Sequence, residues 1–195
     1  MQIGLLFGSF DPIHQGHLML GQYMLQFENL DEVWYVLSPQ NPFKTKIQLS
    51  DVHHRLNMLQ LALNSSPSLK ICERELTMPS PSYTIDTIST LQSEYPSHNF
   101  AIIMGTDNIS TFNQWKDYQT LLDSHRILVY PRLGYPNPKL THPNIKISPA
   151  PVIEISSTTI RQWINANKDV RHFIPIETYR YIICEGLYKR VGKSE

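Results

Sequence analysis

Short apolar runs and helix-period segments take turns along this chain, and that alternation is what most restricts its fold. Residues 3–7 (IGLLF), 32–38 (EVWYVLS), 69–73 (LKICE), 99–105 (NFAIIMG) and 125–131 (HRILVYP) read as buried strands, being short, aliphatic and bounded by polar or turn-forming residues. Residues 17–27, 51–65 and 84–95 space their apolar side chains as helices do. In the second of these Leu56, Leu59 and Leu63 share a face, Ser50 or Asp51 suits the N-cap, and His53, His54 and Arg55 read as its solvated side. A loop containing Pro131, Pro136, Pro138 and Pro143 follows. Residues 144–148 and 150–155 read as the last extended pieces, and 157–167 and 176–188 as helices. Strands that alternate with helices pair in parallel and are covered on both faces. The expectation is one unit over residues 1–195: a doubly wound parallel α/β sheet with a short C-terminal helical extension at about 157–190. In such sheets ligands bind beyond the carboxyl ends of the strands, where the strand order reverses. Functional residues should therefore follow strands.

One segment that does so is GSFDPIHQGH, residues 8–17, directly after the first apolar run. Two glycines, an aspartate, a proline and two histidines make poor core. They suit a backbone that turns sharply and presents imidazoles to something anionic. Gly8 lets the chain leave the strand, Pro12 fixes its own φ and restricts Asp11, and Gly16 leaves room beside the first turn of the next helix. His14 and His17 are three residues apart, so at a helix start they face the same way. The free backbone N–H groups of that turn favour a phosphate. The plain alternative is a Gly/Pro turn whose histidines cap or pack, and the assembled pattern argues against it.

Two further segments carry chemistry-bearing residues. In ISSTTIR, residues 155–161, the hydroxyls of Ser156, Ser157 and Thr158 sit at a helix start, where they can cap it or meet a phosphate. Arg161, one turn on, has a guanidinium suited to bidentate phosphate contact. An ordinary capped helix with a surface arginine would read the same way locally. In MGTDNISTFNQW, residues 104–115, Gly105 permits close backbone approach. Asp107 suits a ribose hydroxyl or an N-cap equally. Phe112 and Trp115 share a face, for packing or, in the polar setting of Gln114 and Lys116, for a flat ring to stack on Trp115.

These motifs resemble those of the nucleotidyltransferase superfamily related to class I aminoacyl-tRNA synthetases, with its (H/T)xGH and ISSTxIR signatures. Within it the chain is similar to the bacterial nicotinate-mononucleotide adenylyltransferase branch. That branch's segments are matched by SPQNPFK (38–44), SYTIDT (82–87), the GTD…W segment ending at Trp115 and FIPIETYRYIICEGLY near the C-terminus. Phe43 stands where many relatives carry histidine, and Ser9 where the first motif has threonine. The resemblance implies a Rossmann-like fold. It implies transfer of the adenylyl group of ATP to nicotinate mononucleotide, in NAD biosynthesis, with release of pyrophosphate. His17, His14 and Arg161 are the catalytic candidates. Gly8, Ser9, Phe10, His14, Gly16, His17, Gly105, Asp107, Ser156, Ser157, Thr158 and Arg161 would face ATP, and Lys44, Tyr83, Thr84, Thr87 and Trp115 the mononucleotide. Mg²⁺ would arrive with ATP, and no protein side chains are assigned to a metal. A pantetheine-phosphate adenylyltransferase is the rival within the superfamily, and a nucleotide-sensing module the rival outside it.

Composition narrows the partners. Seventeen Lys and Arg balance seventeen Asp and Glu, which argues against bulk binding to nucleic acid or to an anionic membrane. Cys72 and Cys184 are far apart and form no CxxC pair, so a reducing compartment is expected. The N-terminal apolar run is too short for a signal peptide and no stretch is long enough to span a bilayer. A cytoplasmic enzyme is the expectation, with a homo-oligomer left open.

Overall fold

The structure is a computed structural model, and it describes residues 1–39, 49–137 and 141–189. Lys44 and Phe43 lie outside the described residues. The described elements run β1 (Gln2–Gly8), α1 (Gln15–Phe27), β2 (Glu32–Leu37), α2 (Val52–Leu63), β3 (Leu69–Cys72), a 3₁₀ turn (Arg74–Thr77), α3 (Thr84–Glu94), β4 (Asn99–Gly105), α4 (Thr106–Ile109), a second 3₁₀ turn (Phe112–Gln114), α5 (Tyr118–Ser124), β5 (Arg126–Tyr130), β6 (Ile145–Ile147), α6 (Ser157–Asn165) and α7 (Ile176–Cys184).

The six strands form one sheet in the order β3-β2-β1-β4-β5-β6. Every pairing is parallel. This is the Rossmann-like doubly wound α/β arrangement. The order reverses between β1 and β4, whose loops diverge to opposite sides and leave a crevice at their carboxyl ends.

The period-two side-chain alternation of the strands divides the core in two. Leu6, Val33, Tyr35, Leu37, Ala101, Ile103 and Leu128 face a cluster completed by α1, α2, α6 and α7. Ile3, Leu5, Trp34, Val36, Ile102, Met104, Ile127 and Val129 face the other, which α3 and α5 cover through Ile88, Leu91, Leu121 and Leu122. The C-terminal helices are thus seated on the first face. There Thr178 donates to the Met58 carbonyl of α2 (3.2 Å), and the Tyr181 hydroxyl meets His54 (2.7 Å) and Asn57 (3.0 Å).

Two local readings change. Residues 150–155 form no strand. Beyond β6 the chain leaves the sheet after Ser148, which bonds Val129 (2.8 Å), and residues 151–156 run irregularly past the crevice. Gly8 is not the residue in a left-handed conformation. Phe10 takes it, with φ +46°, and a Cβ on Gly8 would lie 2.8 Å from the Phe10 ring. Gly8 therefore serves close approach rather than an unusual dihedral.

Gly21 of α1 also serves close approach. A Cβ there would collide with the Tyr35 hydroxyl, which donates to the His17 carbonyl (2.9 Å). Gly21→Ala should cost about 1–3 kcal/mol of stability through overpacking, read by urea unfolding. The cost should shrink in a Tyr35→Phe background, where the colliding oxygen is gone. Equal costs in both backgrounds would mean that the phenol is not what Gly21 accommodates.

Candidate active site

The crevice at the β1/β4 switch point holds two adjoining recesses of about 220 and 240 Å³. His14, His17, Tyr130, Arg132, Ile155 and Ser156 line both. Gly8, Ser9, Phe10, Asp107, Ser157, Thr158 and Arg161 line the first, and Gly16 with residues 151–154 the second. Residues from the two ends of the chain therefore share one cavity.

The two histidines are set by the start of α1. His14 occupies the N-cap and His17 the third helical position, one turn on. Their rings stack at 3.7 Å, and His17 also meets the Phe10 ring edge-on at 5.1 Å. The His14 backbone N–H donates to His17 Nδ1 (3.3 Å). An Nδ1 that accepts cannot carry the proton of a neutral ring, so Nε2 does. His17 thereby has a donor on the ring's other side. His14 is buried, and its Nδ1 has no hydrogen-bond partner among the described residues. Burial, aided by the Arg132 charge, lowers its pKa from 6.5 to about 4. His14 is a neutral imidazole at neutral pH.

The second motif is bonded to the first. Ser157 Oγ donates to the Pro12 carbonyl (2.9 Å), and Arg161 Nη1 to the Asp11 carbonyl (2.5 Å). Ser156 caps α6, accepting from the Thr159 N–H (3.1 Å), and Thr158 Oγ1 accepts from Arg161 Nη2 (3.3 Å). Each hydroxyl of the run, and part of the guanidinium, is thus engaged in holding the motifs together as well as lining the recess. Asp11 is fully buried. Its Oδ2 accepts from the Ser50 N–H (3.1 Å) and lies 4.0 Å from Arg161, while its Oδ1 accepts from the Tyr188 hydroxyl (2.6 Å).

From β4, Gly105 brings Asp107 against Arg132, whose Nε is 3.9 Å from Asp107 Oδ2. The backbone N–H of Arg132 is fixed by Thr106 Oγ1 (2.9 Å). Arg132 was missed by the sequence reading, although a basic residue directly after a strand meets the rule that ligands gather at carboxyl strand ends. Arg55 was misread. It is buried rather than solvated and donates to the carbonyls of Ser9, Ser38, Pro39 and Ser50.

Of the expected mononucleotide residues, the described ones, Tyr83, Thr84, Thr87 and Trp115, do not line the two recesses. Tyr83 is 39% exposed at the N-cap of α3, with Lys116 over its ring at 5.2 Å, and Thr84 opens that helix. Trp115 is half-buried against Phe112, centroids 5.4 Å apart. Thr87 is a correction. It is fully buried, and its hydroxyl donates to Glu75 Oε1 (2.9 Å), so it braces the start of α3 from within and has no surface to offer a ligand.

A crevice with cations, imidazoles and hydroxyls at the switch point of a parallel sheet presents donors of the kind that suit phosphate groups. The chain belongs to the cytidylyltransferase-like family, whose model matches residues 5–163. Among its relatives, the probable nicotinate-nucleotide adenylyltransferase of Flavobacterium psychrophilum is 42% identical over 193 residues, covering 97% of this chain and all of that one. The protein of the same description from Bacteroides fragilis is 41% identical over 181 residues, 92% of this chain and 90% of that one. Among solved structures, Plasmodium falciparum nicotinic acid mononucleotide adenylyltransferase complexed with NaAD has a TM-score of 0.76 at 25% identity, covering 96% of this chain and 97% of that one.

The lowered pKa of His14 makes stability depend on pH. The unfolded chain, with an ordinary imidazole, takes up a proton as pH falls below about 6.5, whereas the folded protein resists until about 4. The contribution is complete above pH 6.5 and is lost as pH falls through that window. His14→Asn should therefore lose less stability than wild type between pH 7 and 4.5, by about 2 kcal/mol. Parallel unfolding curves across that range would contradict the burial of a neutral imidazole.

Proposed function

We propose that this protein joins ATP to nicotinate mononucleotide, forming nicotinate adenine dinucleotide and pyrophosphate, a step of NAD biosynthesis. The observation that carries the reading is the convergence of residues 8–17 and 155–161 on one crevice. Identities of 42% and 41%, over 97% and 92% of this chain, to relatives described as probable nicotinate-nucleotide adenylyltransferases support it.

In this reaction a phosphate oxygen of the mononucleotide attacks the α-phosphorus of ATP. A new P–O bond forms, the bond to the β-phosphate oxygen breaks, and pyrophosphate leaves with that electron pair. The substrate is its own nucleophile. The protein is left with positioning and charge stabilisation. His17 Nε2–H is the donor assigned to oxygens whose charge grows in the transition state. His14, held neutral, acts as a hydrogen-bonding imidazole rather than an acid. Arg161 and Arg132 bracket the polyphosphate, with Ser156, Ser157 and Thr158 at the start of α6 completing that wall. Gly8, Ser9, Phe10, Gly16, Gly105 and Asp107 shape the nucleotide side. ATP arrives as its Mg²⁺ complex. Among the described residues no three His, Cys, Asp or Glu side chains converge on a point, and the crevice is dominated by donors that suit phosphate. No side chain is assigned to the metal. Tyr83, Thr84 and Trp115 are assigned to the pyridine end, and Lys44 to the incoming phosphate. We place the enzyme in the cytoplasm as a single catalytic unit over residues 1–195. No described helix is long and apolar enough to cross a membrane.

Mixing the protein with ATP and nicotinate mononucleotide, or separately its amide analogue, should release pyrophosphate. The acid-to-amide ratio then gives the preference directly, and no release with either overturns the reading. His17→Ala should lower kcat about 10²–10³-fold, as expected for removal of an oriented donor, with the fold retained by circular dichroism. Near-normal turnover would remove His17 from the chemistry. Trp115→Ala should raise KM for the mononucleotide about tenfold or more, as loss of a stacking wall does, and leave KM for ATP little changed. Equal weakening of both substrates would return Trp115 to the core.

A further inference from the structure

Arg55 belongs to no phosphate motif and lines neither recess, yet its guanidinium is among the most heavily engaged groups near the crevice. It is 2% exposed. Nε donates to the Ser50 carbonyl (3.0 Å), Nη1 to those of Ser9 (3.0 Å) and Ser38 (2.7 Å), and Nη2 to that of Pro39 (3.0 Å). These acceptors come from three separate segments: the loop leaving β1, the residues just past β2, and the residue before the N-cap of α2. Four carbonyl oxygens pointing at one place repel one another. A planar five-donor cation satisfies them together, which a lysine's three donors cannot do.

The arrangement closes on itself. Ser50, held at its carbonyl by Arg55, donates its N–H to Asp11 Oδ2 (3.1 Å). Asp11 lies two residues beyond Ser9. Burial pushes the Arg55 pKa down, and the Asp11 charge is the largest influence holding it up. On its other side the same loop is fixed by Arg161 at the Asp11 carbonyl and by Ser157 at the Pro12 carbonyl. Residues 9–12 are therefore gripped between two arginines, Arg55 beneath and Arg161 at the crevice wall, immediately before the stacked His14 and His17. Positioning errors of about 1 Å cost on the order of 10²-fold in rate, so a group that sets the seat of this loop acts on the chemistry without touching a substrate.

We propose that Arg55 is a positioning residue, whose four carbonyl bonds set the Ser9–Pro12 loop and through it the His14–His17 pair against the phosphates. The kinetic part rests on the adenylyl-transfer reading above. The test uses full-length Arg55→Lys and Arg55→Gln. Both keep hydrogen-bond donors in the pocket, the first with the charge and the second with a planar group. In Arg55→Lys, kcat should fall about 10- to 100-fold with both KM values within about threefold, the pattern of a lost transition-state alignment. Without any substrate present, backbone amides of residues 8–14 should exchange hydrogen about tenfold faster than in wild type, while β4 and β5 stay protected. A lowered melting temperature with kcat preserved overturns the proposal. So does a rise in KM with kcat unchanged, or a fall in kcat without faster exchange in 8–14. Failure of both variants to fold where wild type is folded places Arg55 in stability alone and also overturns it. Because the exchange measurement needs no turnover, a wild-type protein that makes no dinucleotide would refute the proposed activity and still leave the loop-seating role to be decided.

Discussion

Asp11 is a carboxylate with no exposure to water, and the crevice is organised around it. Its two oxygens accept from Ser50 and Tyr188, and its own carbonyl accepts from Arg161. These partners lie 39, 177 and 150 residues away in the chain. Taking a carboxylate out of water costs several kcal/mol unless its lone pairs are filled and an opposite charge is close. Here both conditions are met only when the loop after β1, the start of α2, helix α6 and the tail after α7 have all arrived. The crevice is thus a product of the completed fold, and the geometry of the first loop is set by the whole chain.

The electrostatics of the crevice follow from that seating. His14 is pressed into the protein as the N-cap of α1, so its ring is desolvated, and Arg132 faces it across the recess; both effects disfavour a proton. His17, one turn on, has its Nδ1 turned back to the helix, where it accepts from the His14 N–H. Positive charge is supplied instead by the guanidinium groups of Arg132 and Arg161. Guanidinium groups beside imidazole donors suit a polyphosphate whose charge is redistributed rather than created during reaction. A chain with no net charge can do this because two of its cations, Arg132 and Arg161, line the crevice where the sheet order reverses.

The strands and the two motifs were legible because their signals are local. An aliphatic run of five to seven residues between turn formers is a strand in almost any context, and Gly-Ser-Phe-Asp-Pro with two spaced histidines has little use other than a built loop. What the sequence hid depends on who the neighbours are. Arg55 follows two histidines on a helix and looks solvated. It is buried because three chain segments turn their carbonyls toward that one position, which no periodicity records. Thr87 sits in a segment that matches a ligand-facing pattern, yet its hydroxyl finds Glu75 inside. Residues 150–155 have the branched aliphatic character of a strand, but they turn away from the sheet and make a wall of the crevice instead. Arg132 lay in a proline-rich loop whose composition says only that it is not regular.

The C-terminal helices were expected as an extension, and the bonds they make give them a larger part. Helix α7 is fastened to α2 through Thr178 and Tyr181, and α2 carries Arg55, which seats the first loop. A few residues on, Tyr188 reaches the same loop directly at Asp11. A tail that only covered apolar surface could be shifted without consequence for polar groups. This one supplies a donor to a buried charge, and its withdrawal would leave Asp11 Oδ1 unpaired in a site that water does not reach, a far costlier event than losing a surface contact. Burial and the neighbouring carboxylate both push the Tyr188 phenol well above its ordinary pKa, so the donor proton stays in place throughout the physiological range. The phenol therefore remains a donor to the buried loop. The lowered imidazole pKa of this region belongs to His14, a side chain that meets the crevice.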